Sequence, residues 1–263
     1  MKHKSILLGL LALLLSSTAF GQILLPPWDT PPQAEQLLNH DGFMVSYNNV
    51  TKCPNWVSWD LSPEEAAADV TGRTDFFTTD PLVKGPQAEY SDYSHNKYGL
   101  DRGHMAPSAD FKWSKSANEQ TFYLTNICPQ DHALNEGLWL ELEQRCRAWA
   151  KRYHTNVQII CGPIHEEVPN AIGKNLVYVP EAFFKIIRMN VGGKKYYIAF
   201  IFPNQPLDIQ ENIFNYTVNP EEISERTGLN TKWLVDGITW NNKDSVPGKE
   251  FPWDIPWKKP KAK

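Results

Sequence analysis

Residues 182–203 read AFFKIIRMNVGGKKYYIAFIFP, two runs of β-branched and aromatic side chains joined by Gly192-Gly193. Such side chains suit a pleated, half-buried surface, and paired glycines supply the positive φ that a two-residue turn requires. The segment therefore predicts a long antiparallel hairpin, and the rest of the chain must fold around the sheet that it starts. More strand-like runs follow the same chemistry: FMVSY at 43–47, NWVSWDL at 55–61, TFYLTNI at 121–127, NVQIICG at 156–162 and LVYVP at 176–180. Helices interrupt them without a regular strand–helix–strand rhythm. Ser62 caps a short helix that has Pro63 at its first position and Glu65 closing a capping box. LNEGLWLELEQRCRAWAKRYH at 134–154 is the best helix by propensity, with Asn135 at its beginning, and a shorter one runs from Asn219-Pro220 to Gly228. The expected class is α+β, a mainly antiparallel central sheet with flanking helices.

The ends of the chain read differently. The start, MKHKSILLGLLALLLSSTAFGQ, sets Lys2 and Lys4 before an apolar run and ends it with Ala19 and Gly21, the pattern of a signal peptide over residues 1–21. The run is too short to span a bilayer, and nothing later is longer, so the expected location is periplasmic or secreted, with no membrane attachment after cleavage. Residues 22–39 read as an N-terminal arm, residues 40–245 as the folded domain and residues 246–263 as a tail of Pro and Trp turning basic. Removing Lys2 and Lys4 takes 26 basic residues to 24 against 30 acidic, so the formal charge of −4 becomes −6. An anionic partner such as nucleic acid must then be held by a local basic patch against the net field. Cys53, Cys128, Cys146 and Cys161, in an exported chain, could form two bridges, with three pairings open.

The chemistry concentrates in YGLDRGHMAPSAD at 98–110. His104 is the side chain best able to accept a proton near neutral pH, Gly103 permits tight backbone beside it, and Pro107 fixes the chain after it. In an extended segment Arg102 and His104 share a face and Asp101 takes the other. A cation beside the base would keep the imidazole neutral and hold an anionic substrate. On the 134–154 helix, Glu143 lies eight residues after Asn135, about 80° around, with Trp139 and Arg147 on the same side. Glu143 and Arg147 are equally spaced for an i, i+4 salt bridge, and Asn135 for a helix cap.

Together these fragments resemble the DNA/RNA non-specific endonucleases, the ββα-metal or His-Me finger nucleases of the endonuclease G type. The resemblance rests on DRGH followed by MAPSADF, on YLTNICPQ at 123–130 and on LNEGLWLELE at 134–143. RTDFFTTDP at 73–81, VQIICGPI at 157–164 and VYVPEAFFKII at 177–187 extend it from about Phe43 to about Thr239. It implies that His104 is the general base, that Asn135 is the direct protein ligand of one Mg²⁺, which Mn²⁺ could replace, and that Glu143 and Asp101 reach the ion or its waters. It further implies that Asn126 buttresses the site, that Arg147 and Arg73 contact phosphate with Arg102 next in line, and that DNA and RNA are cut to 5′-phosphate ends. A homodimer is compatible with this reading. The alternatives are an exported nucleic-acid or glycan binding module on the same fold, stacking Trp28, Trp253 and Trp257 on its ligand, and a cysteine hydrolase built on Cys128 near His132.

Overall fold

A computed structural model describes residues 35–94, 96–232, 239–240 and 253. The expected signal peptide, most of the arm with Trp28, and most of the tail with Trp257 lie outside the described residues. Strands run in the order β1 (Glu35–Asn39), β2 (Phe43–Asn48), β3 (Cys53–Leu61), β4 (Asp101–His104), β5 (Ile127–Gln130), β6 (Val157–Ile164), β7 (Ala171–Ile172), β8 (Val177–Tyr178), β9 (Ala182–Val191), β10 (Lys194–Pro203) and β11 (Thr239–Trp240). Helices are α1 (Pro63–Ala67), α2 (Tyr90–Tyr93), α3 (Lys115–Gln120), α4 (His132–Leu134), α5 (Leu140–Tyr153) and α6 (Pro220–Thr227).

The hairpin forms as its sequence demands. β9 and β10 pair antiparallel from Ala182↔Pro203 to Val191↔Lys194, and Gly192 and Gly193 turn the chain at φ 60° and 80°. They belong to a seven-stranded sheet of order β1-β2-β3-β6-β9-β10-β11, antiparallel except for the last pair. Alternation along β9 splits its side chains between two cores: Phe183, Ile187 and Met189 on one face, Ala182, Phe184 and Ile186 on the other. Helix α5 covers the first face with Leu142, Cys146, Trp149 and Ala150, and α6 covers the second with Ile223. Burial on both faces explains why the strands are apolar throughout rather than alternating. The last five residues of the arm add β1 to one edge.

Several local expectations hold in detail. Ser62 accepts from Glu65 N at 3.1 Å while Glu65 accepts from Ser62 N at 2.9 Å, which closes the capping box. Asn219 caps α6, and Gly228 ends it at φ 77°. Others do not. Residues 121–126 form no strand; the chain leaves α3 through Phe122 and Tyr123 into a tight turn at Leu124–Asn126, and only Ile127–Gln130 is extended. Its apolar run reflects burial on all sides, a pattern that periodicity cannot separate from a core strand. LVYVP contracts to the two residues of β8, since Leu176 turns at φ 55° and Pro180 has no N–H to continue a ladder.

The long helix begins earlier than expected. Asp131, not Asn135, is the cap, accepting from Ala133 N and Leu134 N at 2.9 and 3.2 Å. A widened turn at Asn135–Trp139, with Gly137 at φ −104° and ψ −114°, then separates α4 from α5. Trp253 is fully buried edge-on against Trp149 at 4.9 Å, so it offers no open stacking face. The four cysteines are free thiols and all buried, packed as small apolar residues, so neither of the two possible bridges forms. Cys128 is among them, and burial pushes its thiol well above the usual range, which removes the cysteine-hydrolase alternative.

Candidate active site

β4 and β5 form a separate antiparallel ribbon in which Gly103 faces Cys128 and His104 faces Ile127. Gly103 is required here by close approach: a Cβ would lie 2.1 Å from Oε1 of the buried Gln130. The ribbon carries Arg102 and His104 to a cavity of about 500 Å³ that Asn135 and Glu143 also line. Arg73, from the loop after α1, completes the rim. Residues 102 and 104 thus meet residues 135 and 143, more than thirty positions further along the chain, in one concave site.

His104 sits in an aromatic cage. Phe122 meets it edge-on at 4.9 Å and Phe77 lies at 5.4 Å. Outside the cage, Arg73 stacks on Phe122 at 5.1 Å, and Arg102 is held between Phe77 and Tyr90 at 4.7 and 5.0 Å. Burial first, then the charges of Arg73 and Arg102, pull the imidazole down to about 3, so it is neutral throughout the physiological range. Its Nε2 is buried and has no hydrogen-bond partner. The residue lines the cavity, and a neutral imidazole there can accept a proton from a molecule placed in it.

Backbone clamps fix that ring. Trp139 Nε1 donates to His104 O at 3.1 Å. Asn126 accepts from Ala106 N at 2.9 Å and donates to Ala106 O and Thr121 O at 2.9 and 2.8 Å. Asn126 therefore braces Ala106, two residues after His104. Arg147 is not on the cavity wall. Its Nη1 donates to Asp110 Oδ1 at 2.6 Å, and Asp110 also accepts from Trp59 Nε1 at 2.9 Å, so this arginine anchors α5 to the segment after β4 rather than pairing with Glu143. Ser108, from the same segment, accepts from Arg73 Nη1 at 3.4 Å. Phe77, Phe122, Asp110 and Gln130 were not singled out by residue type; Phe77, Asp110 and Gln130 lie in RTDFFTTDP, MAPSADF and YLTNICPQ, the segments that carry the resemblance, and Phe122 lies just before the last.

The donor set suits a hard cation. Asn135 Nδ2 donates to Asp101 Oδ2 at 2.9 Å, which leaves the amide oxygen as its open end. Asp101 Oδ2 also accepts from His132 Nδ1 at 2.8 Å. Burial pushes Glu143 up to about 7, against the pull of Lys185 and Arg147, so a cation in the cavity would relieve an unfavourable carboxylate. Lys185, itself buried, stacks on Trp139 at 3.9 Å. Among the described residues no three His, Cys, Asp or Glu side chains form a metal cluster. Mg²⁺ tolerates that arrangement.

Residues 29–236 match the model of the DNA/RNA non-specific endonucleases. The chain is 31% identical over 220 residues to the mitochondrial nuclease of Saccharomyces cerevisiae, covering 76% of this chain and 66% of that one. It is 32% identical over 210 residues to the mitochondrial endonuclease G of Homo sapiens, covering 75% and 70%. A solved structure, that of an EndoG/EndoGI complex describing EndoG inhibition, superposes with a TM-score of 0.68 at 29% identity, covering 73% of this chain and 84% of that one.

Proposed function

The chain belongs to the DNA/RNA non-specific endonuclease family, and on that premise we propose that it is an exported, metal-dependent endonuclease that hydrolyses phosphodiester bonds in DNA and RNA. The observation that carries this reading is the convergence of the neutral His104 imidazole and Asn135 on one cavity that Arg73 and Arg102 also line. His104 takes a proton from the attacking water. Arg73 and Arg102, held in place by aromatic rings, bind the phosphate and offset the charge that gathers on its oxygens during attack. Because these cations address backbone phosphate, base sequence matters little.

Asn135 would hold Mg²⁺, or Mn²⁺ in its place, with Glu143 and Asp101 on the ion's waters. When bound, the ion supplies Lewis acidity at the scissile phosphate. Asn126 and Arg147 act behind the cavity, one by bracing Ala106 and the other by bracing Asp110. Cleavage is expected to leave 5′-phosphate ends. The leader motivates a periplasmic or secreted location, where an acidic protein meets nucleic acid released from cells.

Incubating the mature chain with circular DNA and with RNA, with Mg²⁺ or chelator, beside His104→Ala, tests the proposal. Wild type should cut both substrates only with metal. The variant should bind them while cutting about 10²–10⁴-fold more slowly. Full turnover by the variant would remove His104 from the role of base.

A further inference from the structure

Within AFFKII, the apolar first part of β9, Lys185 is the one charged residue. It is fully buried on the face that α5 covers, because alternation sets it with Phe183 and Ile187. A lysine is almost never buried so completely without an anion beside it, yet among the described residues no carboxylate accepts from its Nζ. Indole faces it instead. The ammonium lies 3.9 Å from the ring centre of Trp139 and 5.8 Å from that of Trp59, both buried. Both rings direct their N–H groups to one segment: Trp139 Nε1 donates to His104 O at 3.1 Å and Trp59 Nε1 to Asp110 Oδ2 at 2.9 Å. Cys161, which faces Lys185 across the β6 and β9 pair, donates to Met105 O at 3.3 Å. Residues 104–110 are thus pinned at His104, Met105 and Asp110, and Lys185 adjoins each group that does the pinning.

We propose that Lys185 is a positioning residue, whose ammonium holds and polarises Trp139 and Trp59 so that their N–H groups keep His104 and Asp110 in place. It does not line the cavity itself. A cation over an indole face draws electron density from the ring and strengthens its N–H as a donor. The arrangement costs stability, because a buried ammonium loses its hydration and the two rings return only part of it. An apolar side chain would fill the same place at less cost. The gain falls on the base: the imidazole must meet its water in one orientation, and a displacement of about 1 Å at His104 is enough to slow the reaction about 10²-fold. Binding should be spared, since Arg73 and Arg102 are held by Phe122, Phe77 and Tyr90 instead. The effect on cleavage rests on the nuclease reading; the grip on the two indoles does not.

The test is Lys185→Met, which keeps the length of the side chain and removes its charge, in the full mature chain. Melting temperature, kcat and KM on plasmid DNA with Mg²⁺, and the nitrogen–proton NMR resonance of the Trp139 indole, assigned with Trp139→Phe, are compared with wild type. The variant should melt at or above the wild-type temperature, since a buried charge without an anion is gone. Its kcat should fall by about 10–100-fold while KM changes by less than about 2-fold. The Trp139 indole proton should move upfield as its bond to His104 O weakens. A residue that only filled the core would not give a chain as stable as wild type and slower. Wild-type turnover in the variant, an unmoved indole resonance, or a chain that melts lower or fails to fold would each overturn the proposal. A wild type that cuts nothing counts against the nuclease reading, and the melt and the indole resonance then still decide whether Lys185 holds Trp139.

Discussion

The burial of His104 has a thermodynamic consequence that can be measured without substrate. In the unfolded chain this imidazole titrates near 6.5; in the folded protein it is held down to about 3. Below pH 6.5 the unfolded state therefore binds a proton that the folded state refuses, and stability is lost as pH falls from 6.5 toward 3. At pH 5 the loss is about 1.5 pH at 1.36 kcal/mol each, or about 2 kcal/mol. Glu143 acts with the opposite sign: its folded carboxyl is raised from 4.5 to about 7, so it favours folding as pH falls through that window. The wild-type curve alone would mix the two. The informative quantity is the difference between wild type and His104→Ala in urea unfolding, with chelator present, at pH 7 and pH 5. The cost of the cavity left by the imidazole is the same at both pH values and cancels. The variant should gain about 2 kcal/mol on wild type between them. A difference independent of pH would mean that the folded imidazole protonates as freely as the unfolded one, and the neutral-base argument would fail.

Asn135→Ala should raise the Mg²⁺ concentration needed for half-maximal cleavage by at least about 10-fold, given what even indirect metal partners contribute; an unchanged metal titration would remove Asn135 as the ligand. Asn126→Ala strands three backbone groups and should lower unfolding free energy by roughly 2–4 kcal/mol, read from urea midpoints. Gly103→Ala drives a methyl into Gln130 and should cost about 1–3 kcal/mol or more, with loss of cleavage; a fully stable and active variant would contradict the close approach at the ribbon. With Arg73 and Arg102 as the two phosphate contacts, log affinity for duplex DNA should fall against log salt with a slope of about −2, measured by titration of His104→Ala to avoid turnover.

The sheet was legible because its signals are local. β-branched runs, a Gly-Gly turn, the Ser62 capping box and the Asn219-Pro220 start each depend on sterics within a few residues, and each forms as written. His104, Arg102, Asn135 and Glu143 were legible as chemistry for the same reason, since their residue types and spacing are covalent facts. Three features required the folded chain. Arg147 could equally have paired with Glu143 on its own helix, and contact with a loop more than thirty residues away gave it Asp110 instead. The start of the long helix moved because Asp131 caps it and Asn135 is drawn to Asp101. Residues 121–127 carry a strand's composition, yet packing on all sides turned them into the wall that cages His104. Which groups ionise and which amide oxygen stays open depend on burial and on neighbours distant in sequence. Only close packing in three dimensions brings those neighbours together.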